Sequence, residues 1–75
     1  MRRERFHMER DVLKVGDEVE ITEGVLPMSY YYTVVPALAM SGNYTTTERI
    51  LSRKGKVANI TLQDGTYYVY IDFDE

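Results

Sequence analysis

One histidine, no cysteine and seven tyrosines bound the chemistry open to this 75-residue chain. Without cysteine there is no thiolate nucleophile and no sulfur ligand for a structural zinc, and a lone histidine cannot complete an imidazole site. His7 is the one imidazole that could serve as a general base, but it sits beside Phe6 in an arginine-rich segment, far along the chain from any paired acid. It reads as a surface side chain. Glu18 and Glu20 alternate along one run and read as a solvated face. Asp72, Asp74 and Glu75 crowd together without the close-set oxygen ligands a hard cation requires. Gly16, Gly24, Gly42, Gly55 and Gly65 form no phosphate-cradling pattern. These residues predict no enzyme, no cofactor and no metal.

Binding chemistry is better represented. Tyr30, Tyr31 and Tyr32 are consecutive, so in an extended strand Tyr30 and Tyr32 face one way and Tyr31 the other. Tyrosine suits interfaces because a large apolar ring is buried while the hydroxyl stays wet. The adjoining run Val34-Val35-Pro36-Ala37-Leu38-Ala39-Met40 is uncharged, and if exposed it would present an apolar contact surface. The predicted partner-binding residues are therefore Tyr30, Tyr31, Tyr32, Leu38 and Met40, serving a protein partner or a homodimer. Arg49, Arg53, Lys54 and Lys56 form a basic cluster, with Tyr44 or Tyr68 as a stacking ring, and support nucleic-acid binding as the alternative. The net charge of −3 weighs against that alternative, since such binders are usually basic overall.

Stepping from these residues to what holds them, the length allows one core, and a domain this short buries only about 60% of the surface its unfolded chain exposes. Disulfides and metals being absent, self-association is the compensation left. Gly16-Asp17 is a turn pair, followed by a half-buried strand with Val19 and Ile21 inside and Glu18 and Glu20 outside. Asp64-Gly65 separates two β-rich runs and predicts a tight hairpin. In its second arm Tyr67, Val69, Ile71 and Phe73 share the core face. In its first arm Val57 and Ile60 break the alternation, which predicts a bulge near Ala58-Asn59. Pro27 and Pro36 bracket a strand over residues 30–35, expected at a sheet edge. Thr45-Thr46-Thr47-Glu48 fits a capping box, but the threonine run and Ile50 favour strand over residues 45–54. Residues 1–11 read as a flexible charged arm before a domain over 12–75. The uncharged stretch from Gly24 to Thr47 is interrupted by Pro27, Pro36 and Gly42, so no membrane span is expected, and the reading is cytoplasmic.

Two pieces together resemble the SH3-like small barrels, the group that includes KOW modules: Leu13-Lys14-Val15-Gly16-Asp17-Glu18-Val19-Glu20-Ile21, and Arg53-Lys54-Gly55-Lys56-Val57-Ala58-Asn59-Ile60 running on through Asp64-Gly65 to Phe73. The ending Phe73-Asp74-Glu75 is similar to that of small bacterial barrel proteins. The resemblance implies a mostly β fold, a single antiparallel SH3-like barrel of about five strands, acting as a non-catalytic interaction module in a bacterial cytoplasm.

Overall fold

The computed structural model describes residues 1–75 and is all β apart from one short turn of helix. Six strands run in chain order: β1 (Arg2–Met8), β2 (Glu18–Val25), β3 (Tyr30–Val34), β4 (Ala39–Ser41), β5 (Lys54–Gln63) and β6 (Thr66–Phe73). They close into one antiparallel barrel in the order β1-β4-β3-β2-β5-β6. The strand count is six rather than five: β1 and β4 are strands not foreseen, and residues 45–53 do not form one.

Residues 2–8 are therefore not a flexible arm. Arg2–Met8 pairs along its whole length with β6, from Arg2 opposite Phe73 to Met8 opposite Tyr67, and joins β4 through Phe6–Ser41 and His7–Met40. The period is two: Phe6 and Met8 point inward and are 1% exposed, while Arg3, Arg5 and His7 point out. Burying those two inner side chains favours closure by about 1.5–3 kcal/mol each, enough to hold a terminal strand against fraying. Closure also leaves no long free sheet edge. β3 is accordingly not an edge strand: β2 lies on one side of it, and β4 and a bridge from Tyr30 to Tyr44 lie on the other.

The core forms where the alternation requires it. Phe6, Met8, Leu13, Val19, Ile21, Tyr32, Val34, Ala39, Ile50, Val57, Val69, Ile71 and Phe73 form one cluster. The β5–β6 hairpin turns at Asp64 and Gly65, both with positive φ (50° and 80°), the geometry that a two-residue hairpin loop requires. Its ladder shifts register between Val57 and Asn59, so the bulge lies at Ala58. Ahead of β2, Gly16 (φ 97°) donates its N–H to the carbonyl of Val57, and Asp17 accepts the N–H of Val57 on its carbonyl, which ties the turn to β5.

Residues 45–53 differ from the strand expectation. Thr46–Glu48 is a single 3-10 turn, and Glu48 accepts both the N–H and the hydroxyl of Thr45 on Oε1. The local capping chemistry outweighs the β preference of the threonines here because no strand lies alongside to pair with them. β5 begins only at Lys54.

Candidate functional site

Three consecutive tyrosines meet three different fates. Tyr32 points into the barrel and is 0% exposed. Its hydroxyl donates to Glu23 Oε2 at 2.7 Å and accepts the N–H of Ile50 at 2.9 Å. Tyr30, on the same face nearer the barrel mouth, is half-buried and carries the Arg49 guanidinium 4.4 Å from its ring centroid. Tyr31 faces outward across from Gly24, with its ring over that glycine: a Cβ added there would lie 2.1 Å from the ring. Tyr32 is thus a core residue and leaves the expected contact surface, because its hydroxyl is the internal partner of a buried N–H.

The basic cluster is also dispersed. Arg49 holds Glu23 through Nε at 3.0 Å and through a second nitrogen at 2.7 Å, a bidentate charge-assisted pair. The Arg49 contact, helped by the Tyr32 hydroxyl, holds the Glu23 carboxyl below its usual range despite burial acting the other way. Arg53 donates to the carbonyls of Ile50 and Ser52 and lies 3.8 Å from Glu23. Lys54 and Lys56 stand directly opposite Glu20 and Glu18 in the β2–β5 ladder. Tyr44 packs edge-on against Tyr32 and donates its hydroxyl to Glu4 at 2.8 Å. Burial and the Glu4 carboxylate both push the Tyr44 phenol well above its ordinary value. Arg49, Arg53 and Tyr44 bind the loop to the barrel, while Lys54 and Lys56 stay exposed on β5 facing acidic ladder partners, so the five do not form one continuous anion-facing surface.

A second polar cluster, at the same end of the barrel, fixes the loop from below. Arg2 donates to Glu4 at 2.6 Å, to Glu75 at 2.9 Å and to the backbone carbonyls of Arg49 and Glu48. Glu75 accepts the N–H groups of Leu51 and Ser52. Burial raises the Glu75 carboxyl, but those N–H donors and Arg2 outweigh it and leave it lowered.

Two features remain accessible. The first is a cavity of about 290 Å³ lined by His7, Met8, Glu9, Arg10, Val12, Ala37, Leu38, Ala39 and Met40. It lies where β1 runs past the end of β4, which is only three residues long, and beside the turn that carries the cis Val35–Pro36 bond. Met40 is 42% exposed and Val12 45% exposed, whereas Leu38 is half-buried against the core. Of the residues expected at a contact surface, Leu38 and Met40 line this cavity; Val12 joins them without having been singled out, because its only signal is one valine in a charged segment. The second is the outer face of β5, β6 and β1, where Asn59 is paired with Tyr70 and Tyr70 with Arg5, and where Thr61 is paired with Tyr68 and Tyr68 with His7. No group of three or more histidine or acidic side chains is arranged to hold a metal ion, and no helix is long and apolar enough to cross a membrane. The chain matches no protein-family model, no curated protein and no solved structure.

Proposed function

We propose that this barrel is a non-catalytic interaction module of the cytoplasm, docking a protein partner or a second copy of itself through the groove of Val12, Leu38 and Met40. The observation that carries the reading is the groove itself. Val12, Leu38 and Met40 gather apolar surface at a cavity of about 290 Å³, apart from the closed core and from the exposed side chains of Val25, Leu26, Met28, Leu51 and Leu62. Val35, 40% exposed in the adjoining turn, extends the apolar rim. Arg10 and Glu9 border it, giving the polar rim that a specific contact requires. Tyr30, Tyr31 and Tyr32, expected at the contact surface, do not line this groove.

An SH3-like affiliation belongs to the same proposal. Its support is that the Gly16-Asp17 lead-in, the Gly55-Lys56-Val57 step and the Asp64-Gly65 hairpin fall in one closed antiparallel barrel. Closure by a sixth strand at the N-terminus departs from the five-strand expectation.

Light scattering behind size exclusion, at two concentrations, tests self-association first. A mass that rises with concentration in the wild type and stays monomeric in Met40→Glu supports the groove as the contact. A monomer throughout removes the homodimer; a partner captured by wild type and lost with Met40→Glu then carries the protein-partner form. Neither result appearing would end the proposal.

A further inference from the structure

We infer that the outer face of β5, β6 and β1 is a stacking platform for unpaired nucleic acid. This site is separate from the apolar groove and different from the Arg49–Lys56 cluster. Alternation along β6 sends Val69, Ile71 and Phe73 into the core and leaves Tyr68 and Tyr70 pointing outward. Two residues apart on one strand, the two residues have Cα atoms about 7 Å apart and side chains on the same face. That spacing lets neighbouring bases of an unstacked strand each meet a ring. Base-on-aromatic contact of this kind needs no particular sequence, since every base has a π face.

The cations lie alongside. β1 turns Arg3, Arg5 and His7 outward on the strand next to β6. The Arg5 guanidinium lies over the Tyr68 ring, 4.8 Å from its centroid, so a base stacking on that face must displace it, which frees the cation to meet a phosphate. His7 is directly opposite Tyr68 on the side away from β5. Asp72 is the single acid among the outward positions of β1 and β6, and Arg3 holds it through Nε at 2.7 Å and a second nitrogen at 3.1 Å. Arg5 has no such carboxylate partner among the ion pairs of the molecule.

A concave end completes the face. A cavity of about 340 Å³ is lined by Glu4, Arg5, His7, Gly42, Asn43, Tyr44 and Tyr68. Its Glu4 carboxylate is engaged by the Tyr44 hydroxyl and Arg2. Asn43 is exposed at the rim and offers the donor and acceptor pair that can meet a base edge. The arrangement favours single strands over duplex, because stacking requires unpaired bases. It favours nucleic acid over an acidic peptide because every nucleotide brings both a flat π face and a phosphate, whereas a peptide brings flat groups only at its aromatic residues. β5, β6 and β1 carry the longest ladders of the barrel, so the platform is preformed.

Fluorescence anisotropy of a short labelled oligo(dT), a matched oligo(rU) and a duplex, at low ionic strength, tests this directly. Single strands should bind, duplex should bind much more weakly, and Tyr68→Ala or Tyr70→Ala should each weaken binding about tenfold or more. Arg5→Gln, which leaves both rings in place, should flatten the dependence of log K on log salt by about 0.7. The Arg5 variant also guards against a misfolded tyrosine variant, and circular dichroism checks each fold. Oligo(dT) against oligo(rU) distinguishes DNA from RNA as the source. No anisotropy change up to ~100 μM protein, the weak end of non-specific affinity, overturns the inference. Equal binding of duplex, or loss of binding with Lys54→Gln and Lys56→Gln but not with Tyr68→Ala, overturns it as well.

Discussion

Replacing Tyr32 with phenylalanine should cost this domain a large part of its stability while leaving every surface unchanged. The ring stays, and only the hydroxyl goes. That hydroxyl accepts the N–H of Ile50, a residue 0% exposed, and donates to the Glu23 carboxylate. Its removal orphans a buried donor, a loss of about 1–3 kcal/mol, and deprives Glu23 of one charge-assisted bond, for a total of about 2–4 kcal/mol. A chain of 75 residues has roughly 4–11 kcal/mol to lose. At about 4–8 °C per kcal/mol for a domain of this size, Tm should fall by roughly 10–25 °C. Urea and thermal unfolding followed by circular dichroism measure both quantities, and an unchanged urea m-value would show that the compactness of the states is preserved. Amide exchange at Ile50 should quicken in parallel. A loss below about 0.5 kcal/mol with Ile50 still protected would refute the reasoning and return Tyr32 to the list of contact residues.

Acid should loosen the same end of the barrel. The folded pKa values of Glu23, held down first by Arg49, and of Asp72, held down first by Arg3, lie below their unfolded values of 4.5 and 3.8. A carboxyl lowered by folding stabilises above its unfolded pKa and loses that contribution as pH falls through the folded one, so stability should decline below about pH 4.5, and Glu23→Gln should flatten the decline in a pH series of urea melts. The two glycines facing side chains should respond differently to alanine. At Gly55 a Cβ would lie 2.7 Å from Ile71, 2.8 Å from Phe73 and 2.9 Å from the carbonyl of Asp72, so Gly55→Ala should cost about 1–3 kcal/mol through overpacking. At Gly24 the obstacle is the Tyr31 ring, which can swing toward solvent, so Gly24→Ala should cost less, and Tyr31→Ala in the same chain should remove most of the penalty; additive losses would contradict that account.

What the residues announced was whatever rests on alternation and turn chemistry. Asp64-Gly65, the bulge beside Asn59, and the inward sets of β2 and β6 all follow from period two and from the φ that glycine accepts. β1 stayed hidden because its inward positions are Arg2, Glu4, Phe6 and Met8, and half of them are charged. An alternation of charge with charge carries no hydrophobic signal. The strand forms because Arg2 and Glu4 reach partners at the barrel mouth, in Glu75, Tyr44 and the carbonyls of the 45–53 loop, all distant in sequence. The same holds for Arg49, whose role as the clamp on Glu23 depends on a hairpin formed elsewhere.

Tyrosine shows most plainly why the surface was harder to read than the core. Identical residues at 30, 31 and 32 become a cation-capped ring, an outward cover for glycine and a core pillar, and strand face sets only Tyr31 apart from the other two. The difference between Tyr30 and Tyr32 is depth in the barrel, which periodicity does not encode. Tyr68 and Tyr70 follow the opposite logic. On their own they are two more outward tyrosines of a β-rich chain. They acquire a chemical character only when β1 closes the barrel and places Arg5 and His7 beside them, so that the arginine-rich N-terminal strand and the tyrosine-rich C-terminal hairpin become adjacent walls of one face. An N-terminal segment read as a loose arm contributes net charge and nothing more; as a strand it supplies the cationic side of the proposed platform. Charge density alone drew attention to residues 49–56, where carboxylates and carbonyls engage the guanidinium groups of Arg49 and Arg53.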